Sequence, residues 1–190
     1  MLSRLLRDIY YKYQSLLPYM NRVRYMLNRW KFKESGLKGS MAKNVKIRGR
    51  AEIVLGNRVA FREGVFIGGN GKLFIGDATS INENTIIACT QYVEIGSNCM
   101  FAPRCYVLDV DHKFSDASIP INQQGYEQSP VKIGDDVWFG TGVVVVKGVT
   151  IGNGCVIAAN SVVTEDIPAC SIAAGSPARV LRSRHETLIS

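Results

Sequence analysis

The 190-residue sequence predicts an all-β protein, a parallel β-helix with a helical segment at its N-terminus. Three observations predict it. Six consecutive hexads run from Ile133 to Pro168 as IGDDVW, FGTGVV, VVKGVT, IGNGCV, IAANSV and VTEDIP. Their first positions are all aliphatic or Phe (Ile133, Phe139, Val145, Ile151, Ile157, Val163), and their fifth are small or aliphatic. Neither the helical period of 3.6 nor strand alternation of 2 gives that pattern. A short fixed repeat with Gly or Asn near its turn suits a prism in which three flat sides close one coil. Coils then stack by backbone hydrogen bonds at ~4.8 Å.

The second observation is the same pattern upstream, more widely spaced. Leu55, Phe61 and Ile67, then Ile75, Ile81 and Ile87, then Ile95, Phe101 and Val107 follow steps of 6, 6 and 8, a coil of 20 residues. Met41 and Ile47 begin the series one coil earlier. The third observation is the step of 26 from Val107 to Ile133. One corner emits a loop there, and a loop longer than ~12–15 residues in so regular a scaffold points to function.

Taken in order, residues 1–40 read as a basic amphipathic arm. Residues 1–33 hold eight Lys and Arg against one acid, Asp8, and those eight less one account for the whole net charge of +7. The remainder is neutral, so the repeats carry no electrostatic footprint for nucleic acid. Leu2, Leu5, Leu6, Ile9, Tyr13, Leu16 and Leu17 recur at helical spacing. Pro18 is expected to break the helix, with Val23, Met26, Leu27 and Trp30 forming a second short one. The charges exclude a signal peptide, and no run of ~18 apolar residues suggests a membrane span. Two roles remain open for the arm: a hairpin capping the open end of the prism, or a helix lying on an anionic membrane surface.

Residues 41–170 form the predicted β-helix, with the long loop at 109–130, and 171–190 a tail. Cys99, Cys105 and Cys155 fall on fifth positions. With Cys89 and Cys170 the cysteines number five and form no C-x-x-C pair, so a disulfide framework or zinc site is not expected, and the three at fifth positions read as core residues of a reducing, cytoplasmic compartment. Of the two histidines, His185 lies in the tail and His112 in the loop run DVDHKF. Asp109 and Asp111 flank His112 and are expected to fix its tautomer and raise its basicity, unless it is an ordinary loop histidine.

These motifs resemble the hexapeptide-repeat acyltransferases, which are left-handed parallel β-helix proteins, and among them the maltose, galactoside and polysaccharide O-acetyltransferases. The resemblance covers about residues 41–182 and rests on the hexads, DVDHKF, IGDDVWFG at 133–140, VVTEDIP at 162–168 and SIAAGSPARVLR at 171–182. It implies a homotrimer that moves an acetyl group from acetyl-CoA to a sugar hydroxyl, in cell-surface polysaccharide or glycolipid biosynthesis. It implies His112 as general base, with Asp109 and Asp111 beside it, and Asn82 and Tyr126 at the acceptor. Asn82 also suits a corner, because Asn tolerates a left-handed backbone. The CoA site implied is Trp138, Gly140, Thr141, Ala159, Pro177, Arg179 and Arg182, with a backbone N–H near Gly140 or Thr141 meeting the oxyanion. No metal and no permanently bound cofactor are implied.

Two departures stand out. Val110 replaces the first histidine of a frequent Asp-His-Asp-His, and Glu165 stands where relatives often carry a lysine. Arg179 and Arg182 are then expected to read the nucleotide phosphates. Amino-sugar N-acetylation and antibiotic acetylation fit the same fold. A γ-type carbonic anhydrase needs three zinc histidines per site, which two histidines do not supply. An ice-binding β-helix needs Thr arrays, and Thr79 and Thr85 are scattered.

Overall fold

The computed structural model describes residues 2–186, and of residues 2–5 and 8 the backbone alone. Leu2 and Leu5 of the expected apolar stripe, and Arg4 and Asp8 of the charge count, therefore lie outside the described side chains. So do residues 187–190 of the tail.

The chain after residue 33 is a prism of three parallel sheets. Side one contains Glu52–Leu55, Lys72–Ile75, Tyr92–Ile95 and Val131–Ile133; side two contains Val59–Phe61, Ser80–Ile81, Met100–Phe101 and Trp138–Phe139. Side three contains Phe66–Gly69, Ile86–Ala88, Tyr106–Leu108 and Val144–Val145. Partners sit one coil apart: Leu55 beside Ile75, Phe61 beside Ile81, Ile67 beside Ile87. Every first-position residue from Leu55 to Val163 is buried, as are the predicted inward thiols of Cys99, Cys105 and Cys155. Phe101 and Phe139 stack at 4.3 Å between ring centres, across the coils that the loop interrupts.

Short polar side chains hold the corner between sides one and two. Asp77 accepts from Asn57 N (2.7 Å), Ser97 from Asp77 N (3.1 Å), Asp135 from Ser97 N (2.6 Å) and Asn153 from Asp135 N (2.8 Å). Each follows the Gly after a buried Leu or Ile, so every coil caps an N–H of the coil before it.

The boundaries differ from the sequence reading at both ends. The first ladder strand is Glu34–Ser35, paired with Val54 and Leu55, so the prism begins before residue 41. At the other end, Ser171–Gly175 continues side two and Ala178–Ser183 folds back antiparallel on it, so the tail belongs to the sheet.

The arm is one helix, Leu2–Asn28, with Pro18 inside it, rather than two. Proline fixes φ at a helical value; it removes one hydrogen bond and crowds one carbonyl, and so need not end a helix. The second half of the helix lies over the first coils, and its last turns make the tightest contact. Tyr25 is fully buried, stacks on Phe32 at 6.1 Å and donates to the Gly36 carbonyl at 3.0 Å. A Cβ at Gly39 would collide with the Tyr25 ring, so this contact needs a glycine there. Most of the expected apolar stripe is not buried by capping: Leu6, Ile9, Tyr13 and Leu16 are exposed, and Leu17 is half-buried. Among the described residues, no helix is long and apolar enough to cross a membrane.

Candidate active site

The loop leaves at the corner between sides three and one, and Asp109 makes the exit possible. In earlier coils the N–H groups of this corner bond the coil above: Arg50 N to the Gly69 carbonyl at 3.0 Å, and Lys72 N to the Gln91 carbonyl at 3.0 Å. Above Thr90, Gln91 and Tyr92 the chain has departed. The Asp109 carboxylate replaces the missing carbonyls, accepting from Thr90 N (2.8 Å), Gln91 N (2.7 Å), Tyr92 N (2.8 Å) and the Thr90 hydroxyl (2.8 Å). Asp109 is fully buried. Burial, then the Asp109 charge, push the neighbouring Cys89 thiol up to about 12, so it stays protonated at neutral pH.

The loop begins as a two-stranded hairpin, Val110–His112 against Tyr126–Gln128, with His112 directly opposite Tyr126. Their rings lie 4.6 Å apart, tilted 41°. Asp111 points to Lys147 (3.7 Å), which also meets Glu127 at 3.3 Å. The expectation that Asp109 and Asp111 orient His112 is corrected here. Successive strand residues face opposite sides, so 109 and 111 share a face that 112 does not. Their carboxylates are committed to the corner and to Lys147. His112 is exposed and, among the described residues, its imidazole has no hydrogen-bond partner.

The groups expected at the thioester lie at another corner. Trp138 stands on side two, 51% exposed, between Met100 and Val156. Gly140 and Thr141 follow at the corner between sides two and three. The Gly140 N–H is taken by the Ile157 carbonyl at 2.8 Å, which excludes it as an oxyanion donor. The Thr141 N–H enters no backbone bond among the described residues, and Thr141 is exposed. Ala159 lies against Gly140 one coil on, where a Cβ on Gly140 would strike its backbone. Pro177 is exposed in the turn joining the last two strands.

The two arginines do not form one phosphate clamp. Arg179 pairs with Glu165 at 3.1 Å, and Arg182 donates to the Ser183 and Glu186 carbonyls at 3.2 and 3.0 Å. A register shift at Ile172/Ala173 lies between their positions on the sheet. The left-handed corner residue is Asn84, with φ of 57°, not Asn82. A left-handed backbone thus accounts for Asn84 and not for the half-buried Asn82. Sequence reasoning missed Lys147 and Thr90, and the only signal for either was that it sits one coil from the loop exit. No three His, Cys, Asp or Glu side chains among the described residues gather as a metal site.

Comparison with known proteins bears on this geometry. A family model, bacterial transferase hexapeptide (six repeats), matches residues 130–165. A hexapeptide-repeat containing acetyltransferase of Vibrio cholerae, solved with acetyl coenzyme A, is 30% identical with a TM-score of 0.62, over 86% of this chain and 77% of that one. The N-acyltransferase AntD of Bacillus cereus, solved with dTDP and 3-hydroxybutyryl-CoA, has a TM-score of 0.73 at 24% identity, over 84% and 87% of the two chains. That likeness bears on the fold alone. A provisionally named acetyltransferase of Mycobacterium tuberculosis is 42% identical over 114 residues, 60% of this chain and 38% of that protein. A protein of Escherichia coli provisionally named the lipopolysaccharide biosynthesis O-acetyl transferase WbbJ is 38% identical over 127 residues, 63% and 65% of the two chains. The chain thus spans less than two thirds of either curated relative.

Proposed function

The chain belongs to the hexapeptide-repeat transferase family, and from that premise we propose that it moves an acetyl group from acetyl-CoA to the hydroxyl of a sugar. The observation that carries the reading is the exposed His112 imidazole on the expelled hairpin, in a chain whose 30%-identical relative was solved with acetyl coenzyme A. His112 takes the proton of an acceptor hydroxyl as the oxygen attacks the thioester carbonyl. The oxyanion meets the Thr141 N–H. Collapse breaks the carbon–sulfur bond, and the imidazolium protonates the departing thiolate. Asn82 and Tyr126 hold the acceptor, and Trp138, Ala159, Pro177, Arg179 and Arg182 hold the CoA.

In a single prism His112 and the pair Gly140 and Thr141 lie at corners on opposite edges of side three, with Trp138 on side two just before the second of these corners. A complete site therefore takes His112 from one copy and the thioester-side groups from the next, in a homotrimer. The provisional name of the E. coli relative favours an O-linked sugar acceptor on a cell-surface glycan.

The test is acceptor-dependent thiol release from acetyl-CoA across hydroxyl sugars, lipid-linked glycans, amino sugars and antibiotics. Release with a hydroxyl glycan, lost in His112→Ala, supports the reading. Release only with amines replaces it with N-acetylation.

A further inference from the structure

We infer that the N-terminal helix seats the protein on an anionic lipid surface by an apolar stripe turned away from the prism. Leu6, Ile9, Leu16, Val23 and Leu27 are 58%, 56%, 52%, 41% and 69% exposed. At ~100° per residue they fall on one flank of the helix, over a length of about 32 Å. The helix cannot roll to bury them. Tyr25 is locked against Gly36 and Gly39, and Arg29 donates to the Ser35 hydroxyl and carbonyl at 3.1 Å each. Both ties act on the flank that meets the first coil, so the stripe faces outward.

Charge selects the occupant. All of the net +7 lies in residues 1–33, and the rest of the chain is neutral. A second copy would offer this helix either a neutral prism or an equally basic helix, and neither complements it. An anionic bilayer complements both features: the stripe enters the acyl boundary, and exposed Lys12, at the edge of the stripe, and Lys31 stay among the headgroups. Aromatic rings stand where an interface favours them, with Tyr19 and Trp30 at 71% and 80% exposure, and Lys31 Nζ lying 5.5 Å from the Trp30 ring centre. The last turns dock on the first coil, and the hairpin leaves three coils further on, ~14 Å along the axis at the usual strand spacing. That places His112 within reach of a glycan still attached to its lipid.

The inference does not depend on the reaction, because vesicle binding is read without substrate. The intact chain is sedimented with phosphatidylcholine vesicles and with vesicles containing phosphatidylglycerol, at low and at high salt. The expected result is binding to the anionic vesicles, released by salt, with an at least ten-fold lower affinity for the zwitterionic ones. Ile9→Glu with Leu16→Glu abolishes binding while oligomeric state, circular dichroism and thiol release on a soluble acceptor persist. Lys12→Gln and Lys31→Gln, which leave the stripe intact, weaken binding by about five-fold each. The inference is overturned if the intact chain ignores anionic vesicles at low salt. It is equally overturned if the stripe variant keeps its vesicle affinity, or changes the oligomeric state, since a copy of the chain then covers the stripe.

Discussion

The coils before the loop and those after it are built on the same hexad, yet they do different work. Before the loop each coil has 20 residues, and the two extra fall at the corner between sides three and one. There the backbone is loose enough to use Gly49 and Gly69 at positive φ, and at the fourth level it lets the chain leave. After the loop the coils tighten to 18 residues, and the same corner becomes a two-residue hydrogen-bonded turn around Lys147 and Gly148. The proposed base, His112, thus comes from the slack corner, and the groups proposed at the thioester from the tight hexads. Regular backbone positions a groove; only a break in it brings a reactive side chain out of the repeat.

The largest expected effect tests whether those two regions meet between copies. His112→Ala and Trp138→Asp are each expected to lower turnover by ~10²–10⁴-fold. Unfolding the two variants together and reassembling them should recover about a quarter of wild-type sites, because one pairing in four then carries both intact halves. No recovery, with mixed oligomers verified by mass, would mean that each site lies within one chain.

Next comes the exit itself. Asp109→Ala takes the acceptor from three backbone N–H groups, those of Thr90, Gln91 and Tyr92, and should lower stability by roughly 3–5 kcal/mol. Asp111→Ala loses only a surface pairing and should cost under about 1 kcal/mol. Urea unfolding of both separates a structural Asp109 from a catalytic one; equal stabilities would refute the role given to its carboxylate.

Much of this contrast was legible in the sequence, because one row of inward side chains per hexad leaves a strict imprint. Each predicted first position from Leu55 onward is buried, and the steps of 8 and 26 mark the irregular corner. His112 and Trp138 are visible as residues, but their relative placement is not, since a repeat shows what lies on a side and not which sides face one another. The role of Asp109 was hidden for a related reason: its partners are 17 to 19 residues earlier, and the aspartates nearest in sequence to a histidine look like its companions. The unbroken helix through Pro18 was missed because local propensity was weighed without the tertiary contact at Tyr25 that anchors the far side of the proline.

Two smaller effects sharpen the comparison further. Glu165 partly neutralises Arg179 in the tight region, so Glu165→Gln should lower the KM for acetyl-CoA by ~2–5-fold, the scale of an exposed ion pair. An unchanged KM would remove Arg179 from the CoA site. In the slack region, burial raises Cys89 to about 12 and Cys99 and Cys105 to about 11, from 9.0. The unfolded chain gives up these protons first, so stability is retained below pH 9 and falls as pH rises towards 11–12. Urea midpoints between pH 7 and about 10.5 should show that decline, and Cys99→Ala with Cys105→Ala should flatten it. A decline unchanged in the double variant would assign it to other groups.

The pairing register across the loop has a consequence for how such a molecule changes over generations. Below the exit, partners on side one are 20 residues apart, Val93 with Leu73; across it they are 38 apart, Val93 with Val131. Nearly doubling the segment to be closed costs only about 0.6 kcal/mol. The carboxylate of Asp109 seals the backbone beneath the exit whatever chain follows it. Insertions and deletions between Lys113 and Gly125 therefore touch neither the ladder nor the core. That stretch is a port at which residues can be gained, lost or exchanged without disturbing the prism.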